Sequence, residues 1–263
     1  MLLTSVVLIL QETLEAALLF SLLAVLTLQH GGRPRDWLPA GLASGLLLAL
    51  VYALNLRRVS EWFDYVGQEL VNAALQLGIV AAVLFLAAWL GRARSAPIGA
   101  GLTRFGLLCA VTIALAITRE GSEIAVFLGG FVSQPGAFQA VAVGSVIGFG
   151  IGVSVGLLLF YGLLALSGNG RRAGRIVPLA LLALFSGNML SQAALQLIQA
   201  DWLPAGAALW DSSGWLPEPS VAGRLLYALV GYESRPTAVQ AAAYLAGALA
   251  VPAAWLTARS RRA

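Results

Sequence analysis

The sequence predicts an all-α membrane protein with seven transmembrane helices, and three observations carry that expectation. Of 263 residues, 59% are hydrophobic and only 11% charged, where soluble domains hold about a quarter charged. The apolar residues gather in runs of about 20, the length that crosses a bilayer. The charges fall mainly in the short polar segments between those runs. Low polarity also excludes disorder. One cysteine, Cys109, and one histidine, His30, exclude an intrachain disulfide and leave little for Cys- or His-based metal chemistry.

The seven runs fall at 2–29, 38–56, 67–90, 103–131, 138–166, 176–200 and 237–257. The first lacks a positive n-region and carries Glu12 and Glu15 in its middle, so it reads as a span and not as a cleavable signal. The second and fifth carry small-residue stripes, Gly41, Gly45, Ala49 and Gly144, Gly148, Gly152, Gly156, which let helices approach closely. The third and sixth carry an amide every fourth residue: Gln68, Asn72, Gln76 and Asn188, Gln192, Gln196. The fourth holds Arg119, Glu120 and Glu123. The one long connection, 201–236, contains Trp202, Trp210 and Trp215, and reads as an interfacial helix or lid.

Charge sets the expected orientation. Arg33, Arg35, Arg92, Arg94, Arg104, Arg171, Arg172, Arg175, Arg259, Arg261 and Arg262 fall on the side of the C-terminus, whereas Arg57, Arg58, Arg224 and Arg235 fall on the other. The positive-inside rule then places the N-terminus outside and the C-terminus in the cytoplasm. Asp36 is the single inside acid; Glu61, Asp64, Glu69, Asp201, Asp211, Glu218 and Glu233 lie outside or at that interface. Asp211, Glu218 and Glu233 are candidates for outer cation capture, with Glu61, Asp64 and Glu69 adding to a negative mouth.

The chain also repeats itself. Gln11-Glu12-Thr13-Leu14-Glu15 aligns with Arg119-Glu120-Gly121-Ser122-Glu123, and Ala73-Ala74-Leu75-Gln76-Leu77 is identical to Ala193-Ala194-Leu195-Gln196-Leu197. Residues 1–90 thus form a three-helix unit repeated as 101–200. Three being odd, the second unit is inverted, a transporter plan with polar sites near the midplane. Residues 201–236 form the Trp-rich outer loop, and 237–263 the seventh helix with a basic tail.

Glu12, Glu15, Glu120 and Glu123 are the candidate metal ligands. A charge at a helix centre costs about 2.5–3.5 kcal/mol on insertion scales, so these groups cannot face lipid. The i, i+3 spacing sets each pair on one face, and the inverted repeat turns the faces toward each other. Four acids against Arg119 leave a negative site that protons or a cation must balance. Carboxylates, helped by amides, suit a hard cation, and the residue set disfavours copper(I) and zinc. Asn72, Gln76, Gln192 and Gln196 either hydrogen-bond between helices or line the path. A proton relay for another metal or solute, and a non-transporting membrane scaffold subunit, are the alternatives. The sequence contains no lysine and no Walker A motif, so the chain uses no ATP; its scattered arginines form no nucleic-acid stripe.

Arg119-Glu120-Gly121-Ser122-Glu123 followed by an apolar run resembles the R-E-G-x-E motif of oxidase-dependent ferric iron permeases. These include the fungal high-affinity permeases and the permease subunits of bacterial elemental and ferrous iron uptake systems. The resemblance covers essentially the whole chain, including 209–232. It implies seven helices, an outside N-terminus and metal binding by Glu12, Glu15, Glu120 and Glu123, with Arg119 and Gln11 as site support. It implies ferric iron as the transported ion, no permanently bound cofactor, and an extracytoplasmic iron oxidase or iron-delivery protein as partner. The implied location is a bacterial cytoplasmic (inner) membrane. The first motif departs from the family: Gln11 stands where Arg is usual, and Thr13 where Gly is frequent.

Overall fold

The structure, a computed structural model, describes residues 1–92, 100–131, 135–167 and 172–260. Arg94, Arg171, Arg261 and Arg262, counted above in the charge asymmetry, lie outside the described residues, as do the side chains of Arg172 and Arg175. Nine α-helices and no named strand occur among the described residues. They are α1 (Leu2–Gln29), α2 (Leu38–Leu54), α3 (Leu56–Ser60), α4 (Gly67–Arg92), α5 (Ala100–Gly129), α6 (Pro135–Ser167), α7 (Arg172–Gln199), α8 (Val221–Val230) and α9 (Ala238–Ser260). Six of them, α1, α4, α5, α6, α7 and α9, are long and apolar enough to cross a membrane. The second expected span, α2, has 17 residues, about 25 Å at 1.5 Å per residue, somewhat short of a hydrocarbon core of about 30 Å.

The helix ends follow from local sequence. Gly31 takes a left-handed φ of 74°, and the amides of Gly31 and Gly32 reach back to the carbonyls of Leu28 and Thr27 at 3.0 and 2.9 Å. That is the Schellman closure of a helix, which glycine makes without strain. His30 caps the same end: its Nδ1 lies 2.9 Å from the Leu26 carbonyl, and its ring packs against Trp89 and Phe105. A proline in the first turn opens α2, where the missing N–H costs nothing.

The glycine stripes set the packing. A Cβ added at Gly45 would stand 2.8 Å from Ile117 Cβ and 2.9 Å from the Ala114 carbonyl; at Gly41 it would meet Ala110. Along α6, Gly144 lies against Leu2 and Ser5, Gly148 against Val6, Gly152 against Thr13 and Gly156 against Ala17. Residue numbers rise together in both interfaces, so α2 runs parallel to α5 and α6 parallel to α1. Each striped helix therefore packs on a motif-bearing helix, α2 on α5 and α6 on α1. Helix α9 lies across α7 and α4, with Gly187 and Gly247 at its contact with α7. The interior is built from Leu18, Leu19, Leu22, Ile79, Val83, Leu86, Ile113, Phe185 and Met189. Leu46, Leu47 and Leu50 of α2 and Val146, Phe149 and Leu158 of α6 face outward, as lipid-facing residues do.

The long connection contains α8, capped by Ser220, whose hydroxyl accepts from the Gly223 amide at 3.0 Å. It closes on Gly231 in the left-handed conformation. Ala228 and Leu225 of α8 pack on Leu10 and Leu14 of α1. Trp202, Trp210 and Trp215 are all exposed. Cys109 is fully buried, and burial pairs it with apolar neighbours.

Candidate functional site

Four elements place polar groups at one level of the bundle. The α1–α6 contact fixes the rotation of α1, and the α2–α5 contact fixes that of α5. Glu12 and Glu15 are then turned inward at 4% and 1% exposure, facing Arg119 and Glu120 of α5. One ligand oxygen from each of Glu12, Glu120 and Glu123 lies within 4.8 Å of the others. Three atoms so spaced lie within about 2.8 Å of a common point, near the distance at which hard cations meet oxygen. At an effective dielectric of 20, each pair of such charges repels by roughly 3 kcal/mol, which a cation or protons at the centre remove.

The fourth carboxylate stands apart. Glu15 Oε2 accepts from Arg119 Nη1 at 2.7 Å, and the same nitrogen donates to Glu120 Oε1 at 2.7 Å. Arg119 Nη2 lies 3.4 Å from Glu123 Oε1 and donates to Gln192 Oε1 at 2.6 Å. One guanidinium thus ties the α1 motif to the α5 motif, and it is itself buried. Breaking one partner of such a buried network costs about 3–5 kcal/mol. Oxygens that accept no hydrogen bond remain on Glu12, Glu15 and Glu120.

The amides of α4 and α7 complete the frame. Gln192 Oε1 also accepts from Gln76 Nε2 at 3.2 Å, and Gln192 Nε2 donates to Asn188 Oδ1 at 3.0 Å. Asn188 Nδ2 donates to the Tyr227 carbonyl of α8 at 3.3 Å. Of the path-lining candidates, Gln192 therefore meets the arginine and Gln76 meets Gln192, while Asn72 and Gln196 are half-buried one turn away from them. Asn188 belongs to the frame, although the sequence set it only in the repeat. Its spacing four residues before Gln192 was the available signal.

Gln11 faces a separate cavity. That cavity, of about 490 Å³, is lined also by Glu218, Pro219, Arg224, Tyr227 and Ser234. The three outer acids have partners of their own. Asp211 pairs with Arg235 at 3.3 Å and accepts from Ser213, whose hydrogen bonds hold its carboxyl below the usual range. Glu218 accepts from Ser234 at 3.2 Å, and Glu233 from Gln240 at 2.5 Å. Burial, and then Glu218 nearby, push the Glu233 carboxyl up to about 7.

Residues 2–258 match the sequence model of the Iron permease FTR1 family. No curated protein and no solved structure matches the chain. The matched family is one of transporters and not of enzymes, and its cargo is iron. With six helices of spanning length and an outward apolar face, the chain is a multi-pass membrane protein. A match over almost the whole chain, on a bundle that buries both glutamate motifs against one arginine, places this protein in the iron permease family.

Proposed function

We propose that the chain imports ferric iron across the cytoplasmic membrane, binding it between Glu12, Glu120 and Glu123, with Glu15 and Arg119 completing the site. The observation that carries the reading is the meeting of three carboxylate oxygens within 4.8 Å inside a membrane bundle. Nothing but oxygen is offered there, which suits a small, highly charged ion. In this reading α2 is a seventh, shorter span, the N-terminus is outside, and residues 1–90 and 101–200 are inverted repeats. The reciprocal use of the glycine stripes supports the repeat, since a two-fold axis exchanges the α2–α5 and α6–α1 contacts. The chain carries no redox centre of its own among these residues, so an outer oxidase or delivery protein supplies the ferric ion. Carboxylates bind metal deprotonated, so loading releases protons and uptake weakens at low pH.

The test is uptake of radioactive iron by vesicles containing the purified chain. Glu120→Gln and Glu12→Gln are each expected to abolish accumulation. Undiminished uptake in both variants would sink the mechanism. Loss of uptake with no ferric binding by the wild-type protein would favour a proton relay for another solute. No solute movement, with an outer oxidase still co-purifying, would favour a scaffold.

A further inference from the structure

The carboxylate cluster opens on one side. Glu12, Glu15 and Glu120 are shut off from solvent, whereas the Glu123 side chain is 31% exposed. Tyr52 of α2 stands one turn past Ala49, which packs against Gly121 of α5, two residues before Glu123. Glu69 sits in the first turn of α4 and heads a row. Glu69, Asn72 and Gln76 follow at i, i+3 and i+7, one stripe of a helix, spanning about 10 Å of rise.

Each residue of the row keeps a buried oxygen with no donor: Glu69 Oε2, Asn72 Oδ1 and Gln76 Oε1. Gln76 is 0% exposed, and its amide orientation is set because Nε2 donates to Gln192. Its Oε1 is therefore a free acceptor and not an ambiguous amide end. Past Gln76 the same stripe continues as Ile79, Val83 and Leu86, all buried and apolar. The oxygens thus begin at the outer end of α4 and stop at the level of Arg119 and the carboxylates. Interiors leave few acceptors unpaired. Three in one line, with one negative charge among them, fit a species that brings no acceptor of its own: a cation.

We propose that Glu69 and Asn72 form a second, outer oxygen site for a hard cation, from which Gln76 and Tyr52 lead it to Glu123. This rests on the permease reading for the identity of the ion, but not for the existence of the site. One carboxylate and neutral oxygens hold a trivalent ion less firmly than the central carboxylates do, so transfer inward runs downhill. Amide and phenol oxygens between them replace lost hydration water step by step.

Equilibrium dialysis of the purified chain against radioactive ferric nitrilotriacetate tests this. Wild type is expected to show two binding components, tight and weak. Glu69→Gln/Asn72→Leu removes the weak component and keeps the tight one, which also shows that the variant is folded. Asn72→Asp, which retains an oxygen, keeps both. Glu120→Gln/Glu123→Gln removes the tight component and keeps the weak one. A single wild-type component, no binding at all, two components surviving Glu69→Gln/Asn72→Leu, or Asn72→Asp behaving as Asn72→Leu does, each overturns the outer site. Failure of the permease reading looks different: both components remain, yet vesicles accumulate no iron.

Discussion

Gly152 and Gly150 are two residues apart on α6, and alanine at these positions separates packing from propensity. A Cβ at Gly152 would stand 2.7 Å from both Cβ and Cγ2 of Thr13, whereas one at Gly150 meets nothing within 4 Å. Ordinary contact begins near 3.5 Å, so α1 and α6 must part by roughly 0.8 Å to admit it. Overpacking of this kind costs about 1–3 kcal/mol. Replacing a helical glycine contributes about 0.5–1 kcal/mol in either variant, and that gain cancels in the comparison. Gly152→Ala is therefore expected to be about 1–3 kcal/mol less stable than Gly150→Ala. At about 2–4 °C per kcal/mol for a chain approaching this size, the Tm gap is roughly 2–12 °C. Thr13 lies between Glu12 and Glu15, so the same displacement shifts both carboxylates relative to Arg119 and weakens ferric binding. Thermal melts in one detergent, paired with ferric binding, measure both effects. Equal Tm and equal affinity in the two variants would refute the claim that the stripe sets the carboxylates.

Three further outcomes follow from the contacts. Gln192→Leu deprives Arg119 Nη2 and Gln76 Nε2 of their shared acceptor; a hydrogen bond to a charged group contributes about 1.5–3 kcal/mol, so the Tm should fall by several degrees in a thermal melt. The Glu233 carboxyl, raised by burial and Glu218 from 4.5 to about 7, holds its proton longer in the folded state than in the unfolded one. Its contribution is complete below about pH 4.5 and is lost as pH rises to about 7, a slope that Glu233→Gln should remove from a Tm–pH series. Gln11→Arg sets a guanidinium facing the cavity of Glu218 and Tyr227 and should leave ferric affinity at the cluster unchanged, whereas a tenfold loss would show that residue 11 reaches the carboxylates.

The bundle was legible because lipid imposes simple rules. A run such as Leu2–Gln29 must be a helix, and two glutamates inside it must face inward. The stripes of α2 and α6 announced close contacts without naming their partners. What a repeat and a period cannot convey is helix rotation. Whether Glu12 or Glu15 meets Arg119 depends on the Thr13–Gly152 contact, a residue pair 139 positions apart in the numbering. Helix α8, at 10 residues, is too short for a hydropathy window, yet Ser220 and Gly231 are ordinary cap residues that marked its ends. The partners of Asp211, Glu218 and Glu233, which are Arg235, Ser234 and Gln240, could not be read in the sequence because the bonds join residues with no shared period. Glu69 falls at the start of the 67–90 run, and the structure sets it in the first turn of α4 with a buried oxygen that accepts no hydrogen bond.

The charge of the central cluster bears on how a bundle with so little polarity tolerates it. Four carboxylates and one guanidinium sum to 1 − 4 = −3 when all are ionised. A net charge of that size inside a bilayer is untenable for long. One trivalent cation balances it, and so do three protons. If ferric iron is the cargo, the empty and loaded sites are both neutral when one ion exchanges for three protons. Gln11 stays out of this count, since it lines the cavity of Glu218 and Tyr227. Arg119 then has a reason to stay when the ion arrives: it retains Glu15, the one carboxylate outside the metal-ready trio, and Gln192 at 2.6 Å. Those two partners anchor Arg119 beside the trio, while Glu12 Oε2 and Glu120 Oε2, which accept no hydrogen bond, are free to turn to the ion.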